Sequence, residues 1–201
     1  TTLGSKARTA CDPSSGMSAS QIIEAWTAPF ETCPNVLGAV PTHGAIRRLG
    51  TVMDDTTIRT AVAAWLSNPT AAEAAYGHIS TWETGGVTDM SYLFCGYSYC
   101  SCSNCWCSDC DSAAASFNED IGAWDTSGVT STYRMFYRAS AFNRDIGAWA
   151  VDSVKDMDTT FYEAKAFNQD LSGWAVQSVR SMWGMFAGAS AFDQDLDWCV
   201  D

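Results

Sequence analysis

The chain has 201 residues, 47% of them apolar and 17% charged, and carries a formal net charge of −12. That composition supports one sizeable core or two small ones, and no apolar run approaches the ~20 residues that a membrane-spanning helix needs. Residues 1–77 hold six acids and five bases, whereas residues 78–201 hold seventeen acids and six bases. A field of that sign repels phosphate backbones and anionic lipid, which argues against nucleic acid and direct membrane binding; it would attract basic partners or cations, and solubility alone is the favoured use of it.

The chain opens on Thr1 without a charged-then-apolar leader, so an exported form is expected to have lost its signal segment already. Nine cysteines are many for this length. Exported and lumenal proteins use them as cross-links, so the expected compartment is oxidising. An odd number leaves one thiol over, and Cys199 is the natural candidate.

In chain order, residues 1–16 read as an irregular lead rich in Gly, Ser, Thr and Pro. Ser18 or Ser20 then caps a short helix over 21–26 that Pro29 stops, with Cys11 and Cys33 flanking it as a candidate disulfide. Residues 1–54 are therefore taken as an N-terminal extension with one helix. From Asp55 or Thr56, a helix runs through Ile58–Leu66 with Ile58, Val62, Trp65 and Leu66 on one face. Asn68-Pro69 ends it, and Pro69 starts a short alanine-rich helix over 70–76 closed by Gly77. Residues 55–78 thus form a helical cap over the C-terminal part of the chain.

From residue 79 to 201 a 25-residue beat takes over. Phe117-Asn118-Glu119-Asp120 returns as Phe142-Asn143-Arg144-Asp145, as Phe167-Asn168-Gln169-Asp170 and as Phe192-Asp193-Gln194-Asp195. Trp124, Trp149 and Trp174 keep the step, as do Phe136, Phe161 and Phe186. A fixed period of this length predicts a repeat solenoid of four to five rungs, with short strands from valine to phenylalanine and turns between them. The recurring tryptophans are expected in the core, each indole N–H meeting a carbonyl at a corner.

The recurring Val-Thr-Asp-Met-Ser-x-x-Phe, Ala-x-x-Phe-Asn-x-Asp-Ile-Gly-x-Trp and Trp-x-x-Ser-x-Val resemble the BspA-like leucine-rich repeats, first grouped in bacterial and mycoplasmal surface lipoproteins. Tyr76-Gly77-His78-Ile79-Ser80-Thr81-Trp82 is similar to versions abundant in marine microalgae. The resemblance covers about residues 55–201. It implies a leucine-rich-repeat-like fold and a cell-surface or exported adhesive role, and it implies no catalytic residues.

Three features could carry chemistry. The first is an insert at 95–113, which interrupts the beat with Cys95, Cys100, Cys102, Cys105, Cys107 and Cys110. Its tandem C-x-x-C pairs offer four thiolates to zinc, but one residue between them is a tight spacing for a zinc fold. With scarcely any apolar residue besides Trp106, the insert is expected to be ordered by disulfides. The second is a column of Asp120, Asp145, Asp170 and Asp195 beside one of Asn118, Asn143, Asn168 and Asp193. Calcium bridging is one use; an asparagine hydrogen-bond ladder with Asp accepting corner amides is the favoured alternative.

The third is the outward face that varies from repeat to repeat, where Tyr133, Arg134, Tyr137, Tyr162, Arg180 and Trp183 are the candidate partner-binding residues. Catalysis has little to work with. His43 and His78 sit beside no nucleophile, and there is no glycine-rich phosphate loop. No catalytic residue, cofactor or metal is assigned. The expectation is a non-catalytic extracytoplasmic module, secreted or on the cell surface, that binds a protein or glycan. Alternatives are a structural accessory subunit of a larger complex in an oxidising compartment such as the thylakoid lumen, and a zinc- or calcium-binding module.

Overall fold

The computed structural model describes residues 51–97, 110–196 and 198, all within one compact unit, Arg47–Asp201. Cys11, Cys33, Cys100, Cys102, Cys105, Cys107 and Cys199 lie outside the described residues, as does the helix expected over 21–26.

The described chain starts with strand β1, Val52–Asp54, and turns at once into helix α1, Asp55–Ser67. Asp54 caps α1, accepting from the Thr56 and Thr57 amides while the Thr57 hydroxyl accepts from the Asp54 amide. The cap is thus one residue earlier than the sequence suggested. Asp55 is released to accept from Thr88 N and Thr88 Oγ1, both at 2.7 Å, and from Asp89 N at 3.0 Å. The apolar face of α1 buries Ile58, Ala61, Val62 and Trp65. Asn68 ends α1 through its amide and starts helix α2, Pro69–Tyr76, through its side chain, which accepts from Ala71 N. Pro69 fits there because the first helical turn needs no donor from it.

A single helical turn of the 3-10 type, Ile79–Thr81, leads to strand β2, Glu83–Gly86, which pairs parallel with β1. Beyond β2 the chain is built from turns. In each repeat, short i to i+3 bonds follow one another: Leu93 N to Met90 O, Cys95 N to Tyr92 O, Met135 N to Thr132 O, Tyr137 N to Arg134 O and Ala139 N to Phe136 O.

The leucine-rich-repeat-like solenoid of short strands is corrected by this backbone. Among the described residues, regular structure consists of two α-helices, short 3-10 turns and one two-stranded parallel sheet. Where a strand was expected from valine to phenylalanine, successive repeats are joined by single amide–carbonyl bonds such as Met90 N to Ser131 O, and among the described residues the sheet-type pairings there are the isolated bridges Asp89–Ser131, Ser131–Asp156 and Asp156–Ser181. The physical reason is backbone handedness. Tyr92, Arg134 and Thr159 take φ of 64°, 54° and 53°, and Arg138 and Glu163 take 58° and 52°. A left-handed residue every fourth position cannot belong to an extended strand.

Residues one repeat apart nevertheless lie over one another through side chains. Phe94, Phe136, Phe161 and Phe186 stack at 5.5 Å between ring centres, and Phe117, Phe142, Phe167 and Phe192 stack at 5.9–6.0 Å. Trp82, Trp124 and Trp149 stack at 6.1 and 6.4 Å and are buried. Each indole finds a carbonyl in the preceding repeat, Trp124 on Ile79, Trp149 on Ile121 and Trp174 on Ile146. The glycine of Ile-Gly-x-Trp is required by close approach: a Cβ on Gly122 or Gly147 would lie 2.6 or 2.7 Å from the Asp145 or Asp170 carbonyl. No helix among the described residues is long and apolar enough to cross a membrane.

Candidate binding face

The run of turns that replaces a strand has a local consequence. Left-handed residues, one in the first repeat at Tyr92 and two in each later one, set neighbouring side chains in columns, and backbone bonds hold the columns in register. Tyr92 N donates to Tyr133 O at 3.0 Å, Gly96 N to Tyr137 O at 2.7 Å and Arg138 N to Tyr162 O at 2.7 Å. Tyrosines from three repeats therefore converge. Tyr137 and Tyr162 stack at 4.8 Å with only 5° between their planes. Tyr92 meets Tyr133 edge-on at 5.2 Å, and Tyr97 meets Tyr137 edge-on at 6.2 Å.

Two guanidinium groups thread this cluster. Arg134 lies 5.1 Å from the Tyr133 ring centre, 5.3 Å from Tyr137 and 6.0 Å from Tyr92. Its Nε is buried without a hydrogen-bond partner, and among the described residues no carboxylate forms an ion pair with it. Arg138 sits 4.6 Å from the Tyr97 ring and 5.6 Å from Tyr137. It pairs with Glu163, Nη2 donating to Oε1 at 3.1 Å, while Nε faces Oε2 at 3.0 Å out of hydrogen-bond alignment. Burial raises the Tyr137 phenol above its ordinary value, Tyr162 and Glu163 add to that, and Arg138 and Arg134 pull against it. The net shift is upward, so Tyr137 is a neutral hydroxyl at physiological pH.

Of the residues singled out in the sequence, Tyr133, Arg134, Tyr137 and Tyr162 are brought together. Arg180 and Trp183 are exposed and join no ring contact or ion pair of the cluster; the Trp183 amide donates to Asp158 Oδ1 at 2.6 Å. Tyr97, Arg138 and Glu163 belong to the cluster and were missed. Their signal was present in the beat, because Arg138 and Glu163 are one 25-residue step apart. The cluster is closed at one end by the disulfide Cys95–Cys110, whose Cα atoms are 4.7 Å apart. Cys95 is buried in the same column as Tyr137 and Tyr162, two residues before Tyr97.

The acidic corner has a different geometry. Asp120, Asp145 and Asp170 each accept the amide two residues on, from Gly122, Gly147 and Ser172, at 2.9–3.0 Å. Asn118, Asn143 and Asn168 accept the amide of the equivalent residue one repeat later, each at 2.9 Å. Among the described residues, no three His, Cys, Asp or Glu side chains converge as metal ligands would.

Compared with known proteins, the chain finds no match among curated proteins or solved structures. A family profile described as Mycoplasma protein of unknown function, DUF285, matches residues 66–101 and 107–200, well over half of the chain. The match spans the tyrosine–arginine face and every repeat that stacks beneath it, and the chain belongs to that family.

Proposed function

We propose that the protein is a non-catalytic extracytoplasmic binding module that recognises a protein or glycan through the tyrosine–arginine face. The observation that carries this reading is the Arg134 cation held among Tyr92, Tyr133 and Tyr137 with no carboxylate partner among the described residues. Tyrosine and arginine provide large contact area and polar tips, the usual make-up of binding hot spots, and tyrosine has little rotamer freedom to lose. Rings already stacked on one another are pre-organised, which lowers the entropy lost on binding. The reading gives the side chains roles by contact: Tyr137 and Tyr162 form the platform, Arg134 offers charge, and Tyr133 flanks it. Trp183 and Arg180 extend the exposed face beyond the cluster.

The Cys95–Cys110 disulfide and the surface-type family resemblance support an extracytoplasmic location. The affinity of residues 76–82 with microalgal sequences belongs to the same proposal and extends it to an algal cell surface. Arg134→Ala and Tyr137→Ala test the reading in a pull-down from native extract alongside a glycan array. Each is expected to weaken capture of the wild-type partner at least about tenfold, or about 1.4 kcal/mol. Undiminished capture by both variants, with unchanged melting, would sink it.

A further inference from the structure

A second surface feature arises from the hydrogen-bond arithmetic of the first repeat. In each later repeat four alternate carbonyls accept amides from the repeat before. Ser131, Tyr133, Met135 and Tyr137 accept from Met90, Tyr92, Phe94 and Gly96. Asp156, Asp158, Thr160 and Tyr162 accept from Thr132, Arg134, Phe136 and Arg138, and Ser181, Trp183, Met185 and Ala187 continue the row. The corresponding first-repeat carbonyls belong to Asp89, Ser91, Leu93 and Cys95, with no repeat before them to supply amides.

Three of these four are met by substitutes. Arg59 on α1 donates to Ser91 O at 2.7 Å through Nη1 and to Asp89 O at 3.2 Å through Nη2, and Asp111 N donates to Cys95 O at 2.9 Å. Among the described residues no donor reaches Leu93 O. That carbonyl lies between two satisfied ones, in a residue only 6% exposed, beside a groove of about 490 Å³ between α1 and the first repeat. Val62, Ala63, Leu66 and Leu93 give the groove apolar walls. Arg59, Asp89 and Asp111 also line it; Arg59 pairs with Asp89 at 3.0 Å, and the Asp111 carboxylate, which accepts from Ala113 N at 2.9 Å, leaves one negative charge without a cation among the described residues.

We infer that this groove docks an extended peptide segment of a partner protein, with an aliphatic side chain followed by a lysine or arginine. The peptide's backbone N–H takes the place that a preceding repeat would fill on Leu93 O. Its aliphatic side chain lies on Val62, Ala63 and Leu66, and its cation faces Asp111. Strand-like addition of this kind draws affinity from main-chain bonds and specificity from pockets for alternate side chains. A buried carbonyl without a donor is costly, so a ligand that supplies one has a direct advantage over an apolar one that does not. The charge of the groove lining, like the net charge of −12, selects a basic segment over an acidic one.

The probe is acetyl-Ala-Leu-Lys-Ala-amide, followed by nuclear magnetic resonance of the Val62, Leu66 and Leu93 methyls and of the Leu93 carbonyl carbon. Saturable shifts at these positions at millimolar or lower peptide are expected. Replacing leucine by serine in the probe, or N-methylating its leucine amide, is expected to weaken binding at least about tenfold. Ala63→Trp, an exposed helix position that lines the groove, should abolish the shifts. Arg134→Ala should leave them intact, so failure here is separate from failure of the tyrosine face. The inference is overturned by no saturable shift, by equal binding of the N-methylated probe, by undisturbed binding to a folded Ala63→Trp variant, or by shifts that follow protein concentration without peptide, which would mean a second copy fills the groove.

Discussion

Asp55 shows how a single carboxylate can bind an element to its neighbour. It lies in the first turn of α1, yet its oxygens are directed away from the helix to Thr88 and Asp89. Burial alone would raise its pKa, but the hydrogen bonds from Thr88 and Asp89 and the nearby Arg59 cation outweigh it, and the carboxyl sits below the ordinary 3.8. A depressed value means the unfolded chain takes up the proton first as pH falls. Its contribution is therefore complete above about pH 4 and is lost as pH drops through the folded-state value. Asp54, Asp125 and Asp170 are shifted the same way by their own hydrogen bonds, so the wild type weakens in the same window. Asp55→Ala should cost about 1 kcal/mol at neutral pH, the scale of a partly exposed charge-assisted contact. Urea melts of both proteins at stepped pH should show the difference shrinking below pH ~4; a constant difference would remove Asp55 from the account.

At the level of elements, the turns between repeats make a prediction that a strand would not. Thr159 is β-branched, has φ of 53°, and buries a hydroxyl with no hydrogen-bond partner, while its equivalent in the next repeat is Gly184 at φ 63°. Left-handed backbone in a non-glycine residue costs about 1–3 kcal/mol, more than the ~0.5–1 kcal/mol that glycine loses in entropy. Thr159→Gly is therefore expected to be neutral or to raise stability by up to about 1 kcal/mol. Gly184→Ala should lower it, because its Cβ meets Thr159 Cγ2 at 3.3 Å. Chemical denaturation of the two variants checks both signs. The same handedness explains what was readable from sequence. Helices α1 and α2 were legible because Asn68-Pro69 and the apolar face of Ile58, Val62 and Trp65 are local signals. The turn run was not, since Tyr92, Arg134, Arg138 and Glu163 are residue types that sequence rules do not place at positive φ. For the binding face, residue type pointed to Tyr133, Arg134, Tyr137 and Tyr162. Tyr97 and Arg138 became visible only when rings and guanidinium groups took positions in space.

On the scale of the whole molecule, the 25-residue step delivers a core of stacked rings with few backbone pairings of the sheet kind, and cross-linking adds to it at the insert. Cys95–Cys110 closes a separation of 15 residues, for which loop-closure entropy gives about 3 kcal/mol. Replacing both cysteines with serine should lower unfolding free energy by that amount and loosen Tyr97 from Arg138, measurable as a lower melting midpoint and a changed tyrosine spectrum. An unchanged midpoint would show that the loop is held by other means. The near-parallel indoles add a property unrelated to binding. Trp124 and Trp149 lie 6.4 Å apart with 2° between their planes, and Trp174 and Trp198 lie 6.3 Å apart with 6°. Chromophores so close and so aligned share their excited states. The protein therefore carries a built-in optical gauge: aromatic circular dichroism and emission report, without any label, whether the stacked indoles of neighbouring repeats have shifted against one another.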